Sequence, residues 1–79
     1  MRVQLLPNIY VQINTDPSKY LIQNIGADPI RIIVSDTQPS PDTPYDFIIE
    51  SRCGISSSHV EGIIWGQSDK RFPTTVSVV

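Results

Sequence analysis

Seventy-nine residues make one domain, close to the lower size at which a single hydrophobic core outweighs chain entropy. With Cys53 as the one cysteine, an intrachain disulfide is excluded, so stability has to come from good packing or from subunit contacts. The formal net charge is −2, the sequence pI is about 5.0, and no cationic run exceeds Lys70-Arg71, which argues against a dedicated nucleic-acid binder.

The opening "MRVQLLPNIYVQIN" has no uninterrupted apolar region or small-residue cleavage site, and no run reaches membrane-spanning length. The expectation is a soluble protein made in a cytoplasm, with no membrane partner. Twelve Ile and seven Val stand against three Leu, one Met and one Ala. Such β-branched side chains suit a pleated surface better than a helix. Seven prolines and nine serines between the apolar runs suit turns and edge strands. The chain reads as all-β, a small antiparallel sandwich or barrel of about six to seven short strands in one domain spanning residues 1–79.

From Arg2 to Ile13 the apolar side chains Val3, Leu5, Ile9, Val11 and Ile13 keep one parity, which predicts extended chain with one buried face. Pro7 makes this an edge strand or two short strands bent at the proline. "NTDPSK", Asn14 to Lys19, is a turn. "YLIQNI" and "PIRIIVS", joined by "GAD", predict a hairpin over Tyr20–Ser35, with Gly26 at the tight turn. Its second strand sets Ile30, Ile32 and Val34 on one face and Arg31 and Ile33 on the other.

"DTQPSPDTP", Asp36 to Pro44, is a surface loop, long for a hairpin connection and so a candidate contact loop. "YDFIIE", Tyr45 to Glu50, resumes strand alternation. In "SRCGISSSHVEG" the Ser58 to Glu61 spacing permits a helix cap, but Gly62 and the β-branched run give a helix little to propagate on. A turn at Gly54 and a strand from about His59 to Gly66 are preferred. "QSDKRFP" turns the chain, and Thr74 to Val79 is the last strand.

Several strands carry apolar residues on their nominally outer face: Ile33, Ile48, Ile63 with Trp65, and Val79. A single sheet in water would alternate more cleanly, so both faces of some strands are expected to be covered, by a second sheet and by neighbouring subunits.

No residue set points to catalysis or a cofactor. His59, Glu61 and Cys53 lack the short spacings of a zinc site, and the bland reading is a strand histidine and a small buried cysteine. Ser56, Ser57 and Ser58 beside His59 lack an orienting acid and the G-x-S-x-G frame, and read as loop polarity. Trp65, with Tyr10, Tyr20 and Tyr45, would stack on a sugar or a base if exposed, but a lone Trp between Ile64 and Gly66 more often belongs to a core or an interface. Lys70-Arg71 is most simply a solvated turn, with a subunit salt bridge as the sharper alternative.

The run "YLIQNIGADPIRIIVS", a proline-rich loop, an Ile-rich strand, "GIIWGQSD" and the terminal "TTVSVV" resemble small virion proteins of tailed bacteriophages. The resemblance covers roughly residues 20–79. It is carried by Asn24-x-Gly26, Pro29-Ile30-Arg31, Gly62 to Ser68 and the final β-branched strand. It implies a non-enzymatic particle protein, commonly trimeric, that decorates or cements the capsid or anchors a head fibre. The major capsid protein or another virion protein would be its partner, and the virion its location. A tail-associated role is also open.

A strand at the chain end stays ordered only if its backbone pairs and its side chains are buried. Thr74, Val76 and Val78 can face the home core, with Thr75, Ser77 and Val79 turned to a neighbour as a docking strand. The expected subunit or capsid interface comprises Ile33, Ile48, Ile63, Trp65, Val78 and Val79. The competing classes are a ligand- or carbohydrate-binding β module using Trp65 and Tyr45, a small nucleic-acid-binding barrel and, last, an enzyme.

Overall fold

The computed structural model describes residues 1–79 and contains eight strands and no helix. They are β1 (Arg2–Leu5), β2 (Val11–Gln12), β3 (Leu21–Asn24), β4 (Ile30–Val34), β5 (Phe47–Ile49), β6 (Gly54–Ser56), β7 (Ile64–Ser68) and β8 (Thr74–Val78). Two four-stranded antiparallel sheets run β1-β8-β3-β6 and β2-β7-β4-β5. The expected antiparallel sandwich is the architecture found, with eight strands rather than six to seven because the segment around Gly54 pairs with β3.

The pairing follows one rule. Strand β1 pairs with β8, β2 with β7, β3 with β6 and β4 with β5, as in one long hairpin whose tip is the Ser35–Asp46 loop. Rolling that hairpin on itself adds the β3·β8 and β4·β7 ladders and closes two sheets over one core. This is the eight-stranded jelly roll, which buries most of its strand edges in ladders. The four remaining edges belong to β1, β2, β5 and β6, none longer than four residues.

That topology corrects the Tyr20–Ser35 hairpin. β3 lies in one sheet and β4 in the other, and Asn24-Ile25-Gly26-Ala27-Asp28 is a crossover corner. Asn24 is fully buried and organises it. Its Oδ1 accepts from the Gly26 N–H at 3.0 Å, and its Nδ2 donates to the carbonyls of Asp28 at 2.8 Å and of Ile49 at 3.2 Å. A short polar side chain that satisfies three backbone groups makes a non-hairpin path affordable where water is excluded. The tip that does double back is the Asp36–Pro44 stretch, for Ile30, Arg31 and Ile32 face Ile49, Ile48 and Phe47.

The strand expected from His59 to Gly66 begins only at Ile64. Ser57 to His59 form a turn in which the His59 N–H donates to Ser56 O. Asn14 fixes the true start of β7: its Oδ1 accepts from Ile64 N at 2.7 Å and its Nδ2 donates to Gly62 O at 2.9 Å. Gly62 has φ 143°, which a side-chain-bearing residue adopts only with strain.

The core between the sheets gathers Leu5, Ile22, Val76 and Val78 from one side against Ile30, Ile32, Ile49 and Ile64 from the other, with Ile13 and Tyr20 closing one end. Gly66 faces this core, and a Cβ there would lie 2.6 Å from Ile13 Cδ1 and 2.9 Å from Leu5 Cδ1. Those two side chains fill the place of the missing one. β8 is an inner strand, paired on both sides by β1 and β3, which accounts for its order at the chain end within a single subunit.

A smaller packed layer lies on the outside of the β2-β7-β4-β5 sheet. Ile33 and Trp65 sit side by side there, and Tyr10, 1% exposed, lies beside Gln67. The Ser35–Tyr45 loop is tied over this face: Tyr10 Oη donates to Thr43 O at 3.2 Å, Gln38 Nε2 to Tyr10 O at 2.9 Å, and Trp65 Nε1 to Ser35 O at 2.8 Å.

Candidate functional site

Alternation along the strands sorts the six residues expected at an interface into two groups. Val78, 7% exposed, points into the home core, because it shares parity with Val76 on β8. Ile33, 5% exposed, is covered on its outer face by the chain's own packed layer, where Trp65 is its cross-strand neighbour. These two are buried within the subunit, a correction to their expected place on its surface. Ile48, Ile63 and Trp65 are half-buried, and Val79 is 82% exposed. Trp65 is half-buried, with its indole N–H committed to Ser35 O.

The loops separate by end. Hydrogen bonds from Ser68 N to Leu6 O, Asp69 N to Pro29 O, and Arg52 N to Asn24 O join the β1–β2, β3–β4, β5–β6 and β7–β8 connections at one end of the sandwich. At the opposite end, Gly62 N to Pro17 O, Ser35 N to Ile63 O, and the mutual Leu21–Val79 backbone pair join the other three connections and both termini.

The first end carries Leu6, Ile9, Ile25 and Phe72 as exposed apolar side chains, with Phe72 70% exposed. Arg52, Lys70 and Arg71 are exposed beside them, while the nearby Asp69 is engaged by Arg31, Nε to Oδ1 at 2.5 Å. That bond raises the Arg31 pKa further, and the same guanidinium lies 5.7 Å from the Tyr45 ring centre, within cation–π range. An open cleft of about 660 Å³ runs between Pro7, Asn8 and Asp69-Lys70-Arg71 and has no apolar lining residue. A site for an organic ligand is mostly apolar and enclosing, so this is a hydrated crevice.

The second end is acidic. Asp16, Asp36, Asp46 and Glu61 are all exposed, against Lys19 in the loops and Arg2 at the start of β1. Its apolar members are Met1, Leu21 and Val79. Hydrogen bonds from the Ser18 N–H and hydroxyl hold the Asp16 pKa below its ordinary value. A small cleft of about 220 Å³ opens there between Met1, Asp16, Lys19 and Val79.

Ser56 Oγ lies 3.2 Å from His59 Nδ1 and 2.6 Å from Ser58 Oγ, all within one exposed turn. No carboxylate bonds the other ring nitrogen, so the contact braces the turn and lacks the orienting group of a nucleophilic triad. No three His, Cys, Asp or Glu side chains converge as a metal site would require. Cys53 is exposed rather than buried, because it sits in the turn before β6.

The sequence reading put Ile9 on a buried strand face and Ile25 at the end of a strand, but both fall in connections and are exposed. Leu6 and Phe72 it passed over, because a connection gives periodicity no face to assign. The available signal was a bulky aromatic inside a turn, "KRFP", with no strand to bury it. Compared with known proteins, the chain matches no protein family, no curated protein and no solved structure.

Proposed function

We propose that this chain is a non-enzymatic structural protein of a tailed-bacteriophage virion, decorating or cementing the capsid or anchoring a head fibre as a homo-oligomer, with a trimer favoured. Its partners are further copies of itself and the major capsid protein or another virion protein. It is made in the host cytoplasm and ends in the particle. The observation that carries the reading is the sorting of exposed apolar side chains to the ends of the sandwich, Leu6, Ile9, Ile25 and Phe72 at one and Met1, Leu21 and Val79 at the other. Surface of that kind serves contact between proteins. The jelly roll recurs in viral capsid domains and in lectins, and this part of the support is analogy of fold. The resemblance of Gly62 to Ser68 and of the final strand to small virion proteins adds to it.

Light scattering across a hundredfold range of concentration, followed by a search for the chain in purified particles, tests the proposal. A concentration-independent closed oligomer and stoichiometric presence in virions support it. A monomer at every concentration, absent from particles, ends it.

Tyr45, 46% exposed beside Arg31, favours a second reading as a carbohydrate-binding module. A glycan panel decides it: loss of binding in Tyr45→Ala would establish the reading, and no binding by the parent protein would remove it.

A further inference from the structure

We infer that the two ends of the sandwich bind each other, so that copies of this chain associate head to tail, the Phe72 end of one seated on the acidic end of the next. This deepens the homo-oligomer reading and rests on it.

Charge and apolar surface both point to this occupant. The Phe72 end presents Lys70, Arg71 and Arg52 against the exposed Glu50 and half-buried Asp28, with Asp69 already engaged by Arg31, so its surplus is positive. The opposite end presents four carboxylates, Asp16, Asp36, Asp46 and Glu61, from three loops against Lys19 and Arg2. Potentials of opposite sign at the two ends of one molecule attract in a head-to-tail arrangement and repel in a tail-to-tail one. Each end also has apolar members to bury once the charges have aligned it: Phe72 with Leu6, Ile9 and Ile25 on one, Met1, Leu21 and Val79 on the other. The outer face of the β1-β8-β3-β6 sheet is otherwise polar, lined by Arg2, Gln4, Gln23, Thr75 and Ser77, and its apolar members Leu21 and Val79 lie together at the acidic-end edge.

Strand addition does not compete. The best strand-forming segment, β8, is hydrogen-bonded on both sides, and the edge strands β1, β2, β5 and β6 are only two to four residues long. A contact through ends is heterologous: the same two surfaces meet at every junction, which closes into a ring when the rotation permits and otherwise extends as a filament. Phe72 is the anchor, a large side chain with no contact obligation to its own core, in the position a hot-spot aromatic takes.

The test uses the full chain. Phe72→Ser, and separately Lys70→Glu with Arg71→Glu, should each raise the concentration for half-assembly about tenfold or more. Their melting should match the parent's at concentrations where the parent is itself dissociated, since all three side chains are exposed. Asp36→Lys with Glu61→Lys, neither of which makes a side-chain hydrogen bond, should weaken assembly equally.

The decisive sample is an equimolar mixture of the two charge-reversed proteins. Each alone repels its own kind, but a junction between unlike copies again joins opposite charges, so the mixture should form heterodimers and longer alternating assemblies, although an alternating ring of three cannot close. Recovery supports the inference. An oligomeric parent whose mass none of these variants alters, or a mixture that stays dissociated, overturns the end-to-end contact and leaves the homo-oligomer reading standing. A monomeric parent overturns both.

Discussion

Asn24 and Ile49 meet across the sandwich: the side-chain amide of Asn24, at the end of β3, donates 3.2 Å to the carbonyl of Ile49 in β5 of the facing sheet. The same side chain bonds Gly26 N and Asp28 O, so one buried amide holds the crossover and both sheets in register.

Replacing it separates packing from polarity. Asn24→Ala orphans a donor and two acceptors, at a cost of about 3 kcal/mol. Asn24→Asp retains the acceptor for Gly26 but sets a carboxylate against two carbonyl oxygens. Near neutral pH the aspartate is therefore the worse change, and it should partly recover on acidification, when its protonated form can donate again. Denaturant midpoints of both variants at two pH values check this. An aspartate variant as stable as the parent at neutral pH would mean the Asn24 amide contacts contribute little.

Gly66 offers a test of core complementarity. An added Cβ would press on Ile13 Cδ1 and Leu5 Cδ1, both terminal methyls with some freedom to move. Gly66→Ala should cost about 1–2 kcal/mol. Ile13→Val removes one of the two methyls, so the double variant should be more stable than the sum of the single effects predicts. Simple additivity in chemical denaturation would show that the methyls do not meet the new group.

Val78 distinguishes a core role from a contact role. On sequence grounds Val78→Asp is expected to abolish assembly. With Val78 packed beside Ile22 and Val76 in the closed core, the same change buries an unpaired carboxylate and should unfold the subunit. Circular dichroism separates the outcomes: lost β signal is expected, and a folded, dissociated protein would return Val78 to the interface. Val79→Asp, one residue on and exposed, should leave the fold intact and bear only on assembly.

Strand content and facing were legible where a period of two was sustained. Val3 and Leu5 on β1, Ile30 and Ile32 on β4, and Thr74, Val76 and Val78 on β8 all turn inward as alternation requires. The connections were not, because a hairpin and a crossover draw on the same residues. Asn24-Ile25-Gly26-Ala27-Asp28 has the composition of a tight turn, and only the partners of the Asn24 amide reveal that the chain leaves its sheet there. Asn14 counted as turn polarity and Asn24 as the polar end of a strand, yet both are buried braces. The exposed apolar set at the Phe72 end was illegible for a related reason. Its members come from three separate loops that only the rolled topology brings together.

Two of the three tyrosines should respond late to alkali. Burial raises the pKa of Tyr10, partly offset by Arg31 and reinforced by Asp46, and burial raises that of Tyr20, whose hydroxyl donates to Val60 O. Each is neutral in the fold at a pH where the unfolded chain would begin to lose the proton. The stability this linkage supplies is whole below the free value of 10.0 and is lost as pH rises through the raised folded values. Tyrosinate absorbance and β signal followed together should therefore show both groups ionising with, or after, loss of structure. Tyr10→Phe removes one of these alkaline contributions. At neutral pH it costs about 1 kcal/mol for the bond to Thr43 O, and on raising the pH its stability should decline less steeply than the parent's. An identical alkaline decline in the two proteins would mean that the Ser35–Tyr45 loop already admits water to Tyr10.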